Sequence, residues 1–483
     1  MLRQPFSTAL ISARRALLPS LVAATWAVPA WSADLLTITQ DALDNNASLA
    51  SVQAITSSVK AARDAEQGDL LPQVNAKGNV AHSEQFERQT RKGPAGAAAG
   101  EQDDSVNSAS FTLEATQALF DAINSRQVTK AERKIDQQVY QLAATEQDVL
   151  INVASGYFEI LRAHEILEAR RAQERAIGRQ LEQAQEQFDV GLIAITEVEE
   201  AQARFDQSRA ERIAAQSDLE VNFEALERLT GKRYSSIEAL GEDMPVQAPE
   251  PSDRHYWVEL AVENNPTVLA SQAGVEVSQS DVEISRAGRL PTVNAFANYN
   301  YDDNDADGVD DYNSDGQVGV QLSLPIYTGG TTTAVIRQNT YLLESSQYDF
   351  EDQRRETVQQ VRSRYTQVSN NVSTVEARQQ AIVSNKSALD ATRAGYEVGT
   401  RNIVDVLDAE QNLYNAMADY ASSRYDYVIN LLALRQQAGV LDVESLEKVN
   451  NWLDGESVSF TLPEEGAGSD SVTNIGQRPS REQ

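Results

Sequence analysis

Asp405 and Asp408 stand three residues apart in a helical stretch, which sets both carboxylates on one face. By spacing alone the pair serves either as a cation-attracting site or as ordinary solvated surface charge. A denser acidic run spans residues 302–316, with seven Asp in fifteen positions. It reads Asp303-x-Asp305-x-Asp307-Gly308, then Asp311-x-Asn313-x-Asp315-Gly316. Oxygen ligands at alternate positions followed by Gly are how calcium loops wrap a hard cation, which makes Asp303, Asp305, Asp307 and Asp311 candidate Ca²⁺ ligands. Ser314 takes the place of the Glu an EF-hand would have, and no helices flank the run, so a hydrated acidic turn is the competing reading. Enzyme chemistry finds little else. The chain has no Cys and only three His, and it lacks a Gly-x-x-x-x-Gly-Lys-Ser/Thr loop and a Gly-x-Ser-x-Gly elbow. His164-Glu165 has no second His at zincin spacing. We therefore expect no enzyme, and no cofactor beyond the candidate calcium. A formal charge of −31, from 72 acidic and 41 basic residues, excludes a partner whose affinity comes from neutralised phosphates, such as nucleic acid.

The elements that must position these residues show first in the leader. Arg3, Arg14 and Arg15 precede an apolar stretch and the small-x-small Ala30-Trp31-Ser32, a secretory signal peptide over 1–32. No later stretch is apolar for the ~20 residues a membrane helix needs, so any crossing must use β-strands. An internal duplication follows. Val190-Gly191 through Gly231 aligns without a gap on Val398-Gly399 through Gly439, and Asn45-Asn46 through Ala76 aligns on Asn264-Asn265 through Ala295. The repeats are assigned to 33–240 and 254–452, with a Pro-rich linker over 241–253 and a disordered tail over 453–483. Period-two alternation predicts strand pairs at 74–83 and 108–119, and at 293–301 and 317–327. Proline-free stretches predict long helices at 124–190 and 332–398, each about 100 Å at ~1.5 Å per residue. Helices at 38–71, 196–229 and 402–437 are shorter. Gly191 and Gly399 end the long helices, and Thr196-x-x-Glu199 suggests a capping box that restarts the chain.

Four strands cannot close a barrel alone, so the protein is expected to be a ring-shaped oligomer. Strand counting leaves a dimer or a trimer open. The tip sequences, residues 190–198 and above all Tyr396-Glu397-Val398-Gly399-Thr400-Arg401-Asn402-Ile403-Val404-Asp405-Val406-Leu407-Asp408-Ala409, resemble the TolC family of outer-membrane export channels. With the duplication, strand pairs and helix lengths, the resemblance covers roughly residues 35–453. It implies a mixed α and β membrane protein: a homotrimer with a 12-stranded outer-membrane β-barrel, four strands per protomer, continued by a long α-helical coiled-coil tunnel across the periplasm. The implied function is the exit duct of tripartite efflux or type I secretion, set in outer-membrane lipid. Its implied partners are a periplasmic adaptor and an inner-membrane pump of ABC, RND or MFS type. In the family the carboxylates matching Asp405 and Asp408 face the pore constriction, so a trimer would present six, attracting cations. Tyr396 and Arg401 match closing contacts that reach a neighbouring tip around Thr196 and Glu197. Glu197 departs from the family's Asp by one methylene. Gly191 and Gly399 match tips that meet the adaptor. The alternative is a periplasmic coiled-coil scaffold or adaptor without a barrel.

Overall fold

The computed structural model describes residues 32–84, 105–304 and 311–459. The leader over 1–31, the Gly-rich loop over 85–104 and the chain beyond 459 lie outside them. Two short helices, two strands, one very long helix and one helix of intermediate length follow one another in each half. First come α1 (Leu35–Asn45), α2 (Ala47–Gly68), β1 (Gln73–Glu84), β2 (Ser105–Phe120), α3 (Ala122–Asp189), α4 (Ile195–Thr230) and β3 (Ser236–Leu240). Then follow α5 (Arg254–Asn264), α6 (Pro266–Ala287), β4 (Thr292–Asn304), β5 (Asp311–Ser323), α7 (Thr331–Glu397), α8 (Ile403–Gln437), α9 (Val443–Asn450) and β6 (Leu453–Ser459). α3 has 68 residues and α7 has 67. Among the described residues no helix is long and apolar enough to cross a membrane.

β1, β2, β4 and β5 form one antiparallel sheet in that order, with β1 and β5 at its edges. On β5, Val318, Val320 and Leu322 point out of the sheet uncovered, alternating with Gln317, Gly319 and Gln321. The alternation suggested that this strand runs over 317–327. It ends at Ser323, because Pro325 cannot donate to a ladder, and it starts earlier, at Asp311. Phe296 breaks the alternation of β4, and its ring explains why: a Cβ on the cross-strand partner Gly319 would stand 2.8 Å from it, so the ring fills the space glycine leaves.

The 38–71 segment is two helices rather than one. Asn46 is extended and caps α2, its Oδ1 accepting from the N–H of Ser48 at 3.0 Å and of Leu49 at 3.1 Å. Its Nδ2 donates to the Leu229 carbonyl at 3.0 Å, so the C-terminus of α4 meets the N-terminus of α2. Asn265 does the same before α6, donating to the Gln437 carbonyl of α8 at 2.9 Å. Each side chain thus satisfies the open ends of two helices stacked end to end. Replacing either Asn with Ala is expected to cost about 1–2 kcal/mol and to lower the melting temperature measurably.

The main core lies at this junction. Leu35 and Ile38 of α1, Tyr157, Phe158, Ile160 and Leu161 of α3, Leu219 and Leu226 of α4, Ile237 of β3 and Tyr425 of α8 are shut from water. Val149, Val153, Ile160, Ala163 and Leu167 line one buried seam of α3, while Val139 nearer its start is exposed. Gly156 is where α4 passes: a Cβ there would meet Leu226 and Leu229 at 3.6 and 3.7 Å. β6 pairs antiparallel with β3 beside this core, so residues 453–459 are a strand and not the start of the expected tail. Two aspartates pin the same region. Burial pushes the Asp34 carboxyl up, but hydrogen bonds from Thr37 and Asn450 outweigh it and leave its pKa lowered. Asp442, which caps α9, is likewise lowered against burial by bonds from Ser445. A lowered folded pKa contributes stability that is present above the ordinary value of 3.8 and lost as pH falls through the folded value. Wild-type protein is therefore expected to lose thermal stability below about pH 4, and Asp34→Ala/Asp442→Ala to lose less over the same titration.

Candidate functional site

The site sits at the far end of α3 and α7 from the sheet, where both long helices turn back. At the first turn, Gly191 has φ of 77°, its N–H bonds the Phe188 carbonyl at 2.8 Å and the Leu192 N–H bonds the Gln187 carbonyl at 2.8 Å. At the second, Gly399 has φ of 74°, with the corresponding bonds to Tyr396 at 3.0 Å and from Thr400 to Gly395 at 2.8 Å. Both are Schellman caps, and the left-handed residue is where a side chain would be strained. Nothing lies within 4 Å of a Cβ built on either glycine, and Val190, Leu192 and Val398 beside them are exposed. Each turn is an open apolar knuckle. The tips are held by a small core of Ile177, Leu181 and Ala184 from α3, Val198 and Ala201 from α4, and Ile403 and Leu407 from α8.

The helices restart differently. α4 begins after Ala194, which makes no side-chain cap, so the capping box read from Thr196 and Glu199 is not formed: Thr196 lies one residue inside the helix, too late to cap it. Thr196 is exposed and Glu197 half-buried. α8 carries the true box. Asn402 Oδ1 accepts from the Asp405 N–H at 2.8 Å, and Asp405 Oδ2 accepts from the Asn402 N–H at 3.4 Å. The Asn402-x-x-Asp405 spacing was readable in the sequence.

Asp405 and Asp408 both have partners within the chain. Asp405 lies 3.8 Å from Arg401 Nη1, and Asp408 Oδ1 accepts from Arg204 Nη2 of α4 at 2.8 Å. Arg204 also donates to Gln411 at 3.2 Å. Within one protomer Arg401 reaches neither Thr196 nor Glu197; its ion pair is with Asp405. The Tyr396 hydroxyl donates to Gln187 Oε1 at 2.8 Å, tying the ends of α7 and α3 together. Burial first, and then the Glu197 charge, push the Tyr396 pKa up, so the hydroxyl stays a donor. Sequence reasoning did not find Arg204, because its role depends on α4 lying beside α8.

The acidic run is only partly described. Asp303 lies on β4 opposite Tyr312, whose ring stacks with Tyr301 at 6.2 Å. Asp305 and Asp307 fall outside the described residues, as does the Asp311 side chain. Among the described residues no group of three or more His or acidic side chains gathers as a metal site.

A narrow antiparallel sheet thus stands at one end of paired helices about 100 Å long, with glycine turns and acidic residues at the other. The chain belongs to the outer membrane efflux protein family, whose model matches residues 38–232 and 257–440. It is 35% identical to the outer membrane protein TolC of Vibrio cholerae serotype O1 over 444 residues, 90% of this chain and 98% of that protein. It is 33% identical to the alkaline protease secretion protein AprF of Pseudomonas aeruginosa, over 72% of this chain and 73% of that one. The crystal structure of the outer membrane protein VceC from Vibrio cholerae superposes with a TM-score of 0.69, at 19% identity, covering 84% of this chain and 96% of that one.

Proposed function

We propose that three copies of this chain form an outer-membrane exit duct for efflux and type I secretion, with the four strands of each copy contributing to a 12-stranded barrel. Supporting this are the kinship with TolC and AprF, the sheet edges β1 and β5, which pair with no further strand among the described residues, and the uncovered apolar row Val318, Val320 and Leu322. The strands then lie in the outer membrane and the helices continue as a periplasmic tunnel. The tips meet a periplasmic adaptor at the knuckles around Gly191 and Gly399, and an inner-membrane pump of ABC, RND or MFS type supplies the energy. The repeated Asn46 and Asn265 junctions fit a duplicated origin. The observation that carries the reading is the placement of Asp405 and Asp408 at the open end of the helices, where a threefold axis would gather six carboxylates. Cross-linking of the purified protein in detergent tests the assembly: a trimer is expected, and a monomer at all cross-linker concentrations would contradict it.

In this reading Tyr396 and Arg401 close the gate, with Thr196 and Glu197 of a neighbouring copy available to Arg401. The Tyr396 bond is a neutral hydrogen bond worth about 1 kcal/mol, so Tyr396→Phe is expected to raise the resting conductance about fivefold. An unchanged closed state would count against Tyr396 as a gate contact. Calcium in the external acidic run, held by Asp303 with Asp305, Asp307 and Asp311, belongs to the same reading and would be tested by calorimetric titration of Ca²⁺ into the purified protein.

A further inference from the structure

We infer that Glu410 and Arg393, with Gln180, form a positioning clamp that sets the gate-bearing hairpin of α7 and α8 against α3, a second determinant of closure behind the constriction. The inference rests on the exit-duct reading above. Ile403, Val406, Leu407 and Glu410 are the buried positions of the first turns of α8, so an acid occupies a seam position that heptad packing gives to apolar residues. The Glu410 side chain is 0% exposed. Its Oε1 accepts from Arg393 Nη2 of α7 at 2.6 Å and from Gln180 Nε2 of α3 at 3.4 Å. One carboxylate thus joins three helices two residues beyond Asp408.

Stability does not account for it. Arg354 and Glu351 on α7 make both arms of the arginine fork, at 2.9 and 3.0 Å, whereas here only one arm is made. Glu410 Oε2 and Arg393 Nε are out of contact with water and have no hydrogen-bond partner among the described residues. A half-satisfied buried pair is less favourable than apolar packing of the same volume, and the best-attested use of such pairs is to fix register. The other hairpin supplies the contrast. At the aligned offset of 208 residues, Arg393 corresponds to Gln185 and Glu410 to Gln202. The charged pair is present only on the hairpin that carries Asp405 and Asp408.

The burial is asymmetric, which gives the test its direction. Arg393 is 41% exposed and can turn to water if Glu410 is lost, but Glu410 without Arg393 is a buried charge that has lost its 2.6 Å ion pair and keeps the weaker bond from Gln180. Resting conductance in planar bilayers is to be compared for wild type, Arg393→Gln, Arg393→Lys, Glu410→Gln and Arg393→Gln/Glu410→Gln. Arg393→Gln should raise it about tenfold and Glu410→Gln about threefold, with the double variant no leakier than Glu410→Gln and Arg393→Lys near wild type. Additive single effects, or singles indistinguishable from wild type, would overturn the clamp. Amide hydrogen exchange over residues 395–407 of the same folded proteins reads the clamp without a current, and should accelerate most in Arg393→Gln. If wild type carries no current the exit-duct reading fails, while unchanged exchange in Arg393→Gln removes the clamp whatever the current shows.

Discussion

Channels made of Asp405→Ala/Asp408→Ala protein are expected to lose about tenfold in cation-over-anion permeability, and to lose block by trivalent cations added from the tip side. In the proposed trimer six carboxylates would gather in a narrow, low-dielectric mouth and focus their field, and removing them would remove both the attraction and the binding site. The two single variants are not equivalent. Asp408 is paired with Arg204 at 2.8 Å, so Asp408→Ala leaves an uncompensated guanidinium at the tip, whereas Asp405→Ala unmakes a capping box and a looser contact with Arg401. Reversal potentials under a salt gradient should therefore shift further toward anions in Asp408→Ala than in Asp405→Ala. Asp405→Ala should instead loosen the start of α8, at a cost of about 1 kcal/mol. A double variant with wild-type reversal potential and wild-type block would remove these carboxylates from the constriction.

The second large effect concerns a residue far from the tip. Gly439 ends α8 with φ of 75°, and a Cβ there would stand 2.4 Å from the Asn264 carbonyl carbon and oxygen and 2.6 Å from the Asn265 nitrogen. These are backbone atoms at the stacked junction of α8 on α6, and they cannot rotate away. Gly439→Ala is expected to cost the ~1–2 kcal/mol of a left-handed alanine together with a displacement of the α5–α6 break, enough to abolish recovery of folded protein. Gly231, its counterpart after α4, has only the Asn45 Cβ at 3.7 Å, so Gly231→Ala should pay the backbone term alone and still fold. Equal recovery of the two variants would contradict the close approach.

What could be read from the sequence follows from how local each signal is. Glycine turns, period-two strands and proline-free helices depend on neighbours in the chain, and their positions were legible to within a few residues, apart from β5, which starts at Asp311 and ends at Ser323 where alternation suggests 317–327. The breaks at Asn46 and Asn265 were visible only as a repeated Asn-Asn pair, because their purpose lies in carbonyls about 180 residues away, at Leu229 and Gln437. The β3–β6 pairing joins segments more than 200 residues apart, and neither is long enough to show a period. At the tip, spacing singled out Asp405 and Asp408, and the family resemblance singled out Tyr396 and Arg401, but neither showed the partners these side chains have within the chain. Arg204 and Gln187 meet them through helix packing, and Glu410 looks like one more polar residue until the seam of α8 is known.

Whether this chain forms a gated conduit is decided by single-channel recording of the purified wild-type protein in a planar bilayer. A small, steady, cation-selective conductance that a trivalent cation blocks from one side only is expected. Well-folded protein that inserts and carries no current, or a wide anion-selective pore indifferent to trivalent cations, would contradict it.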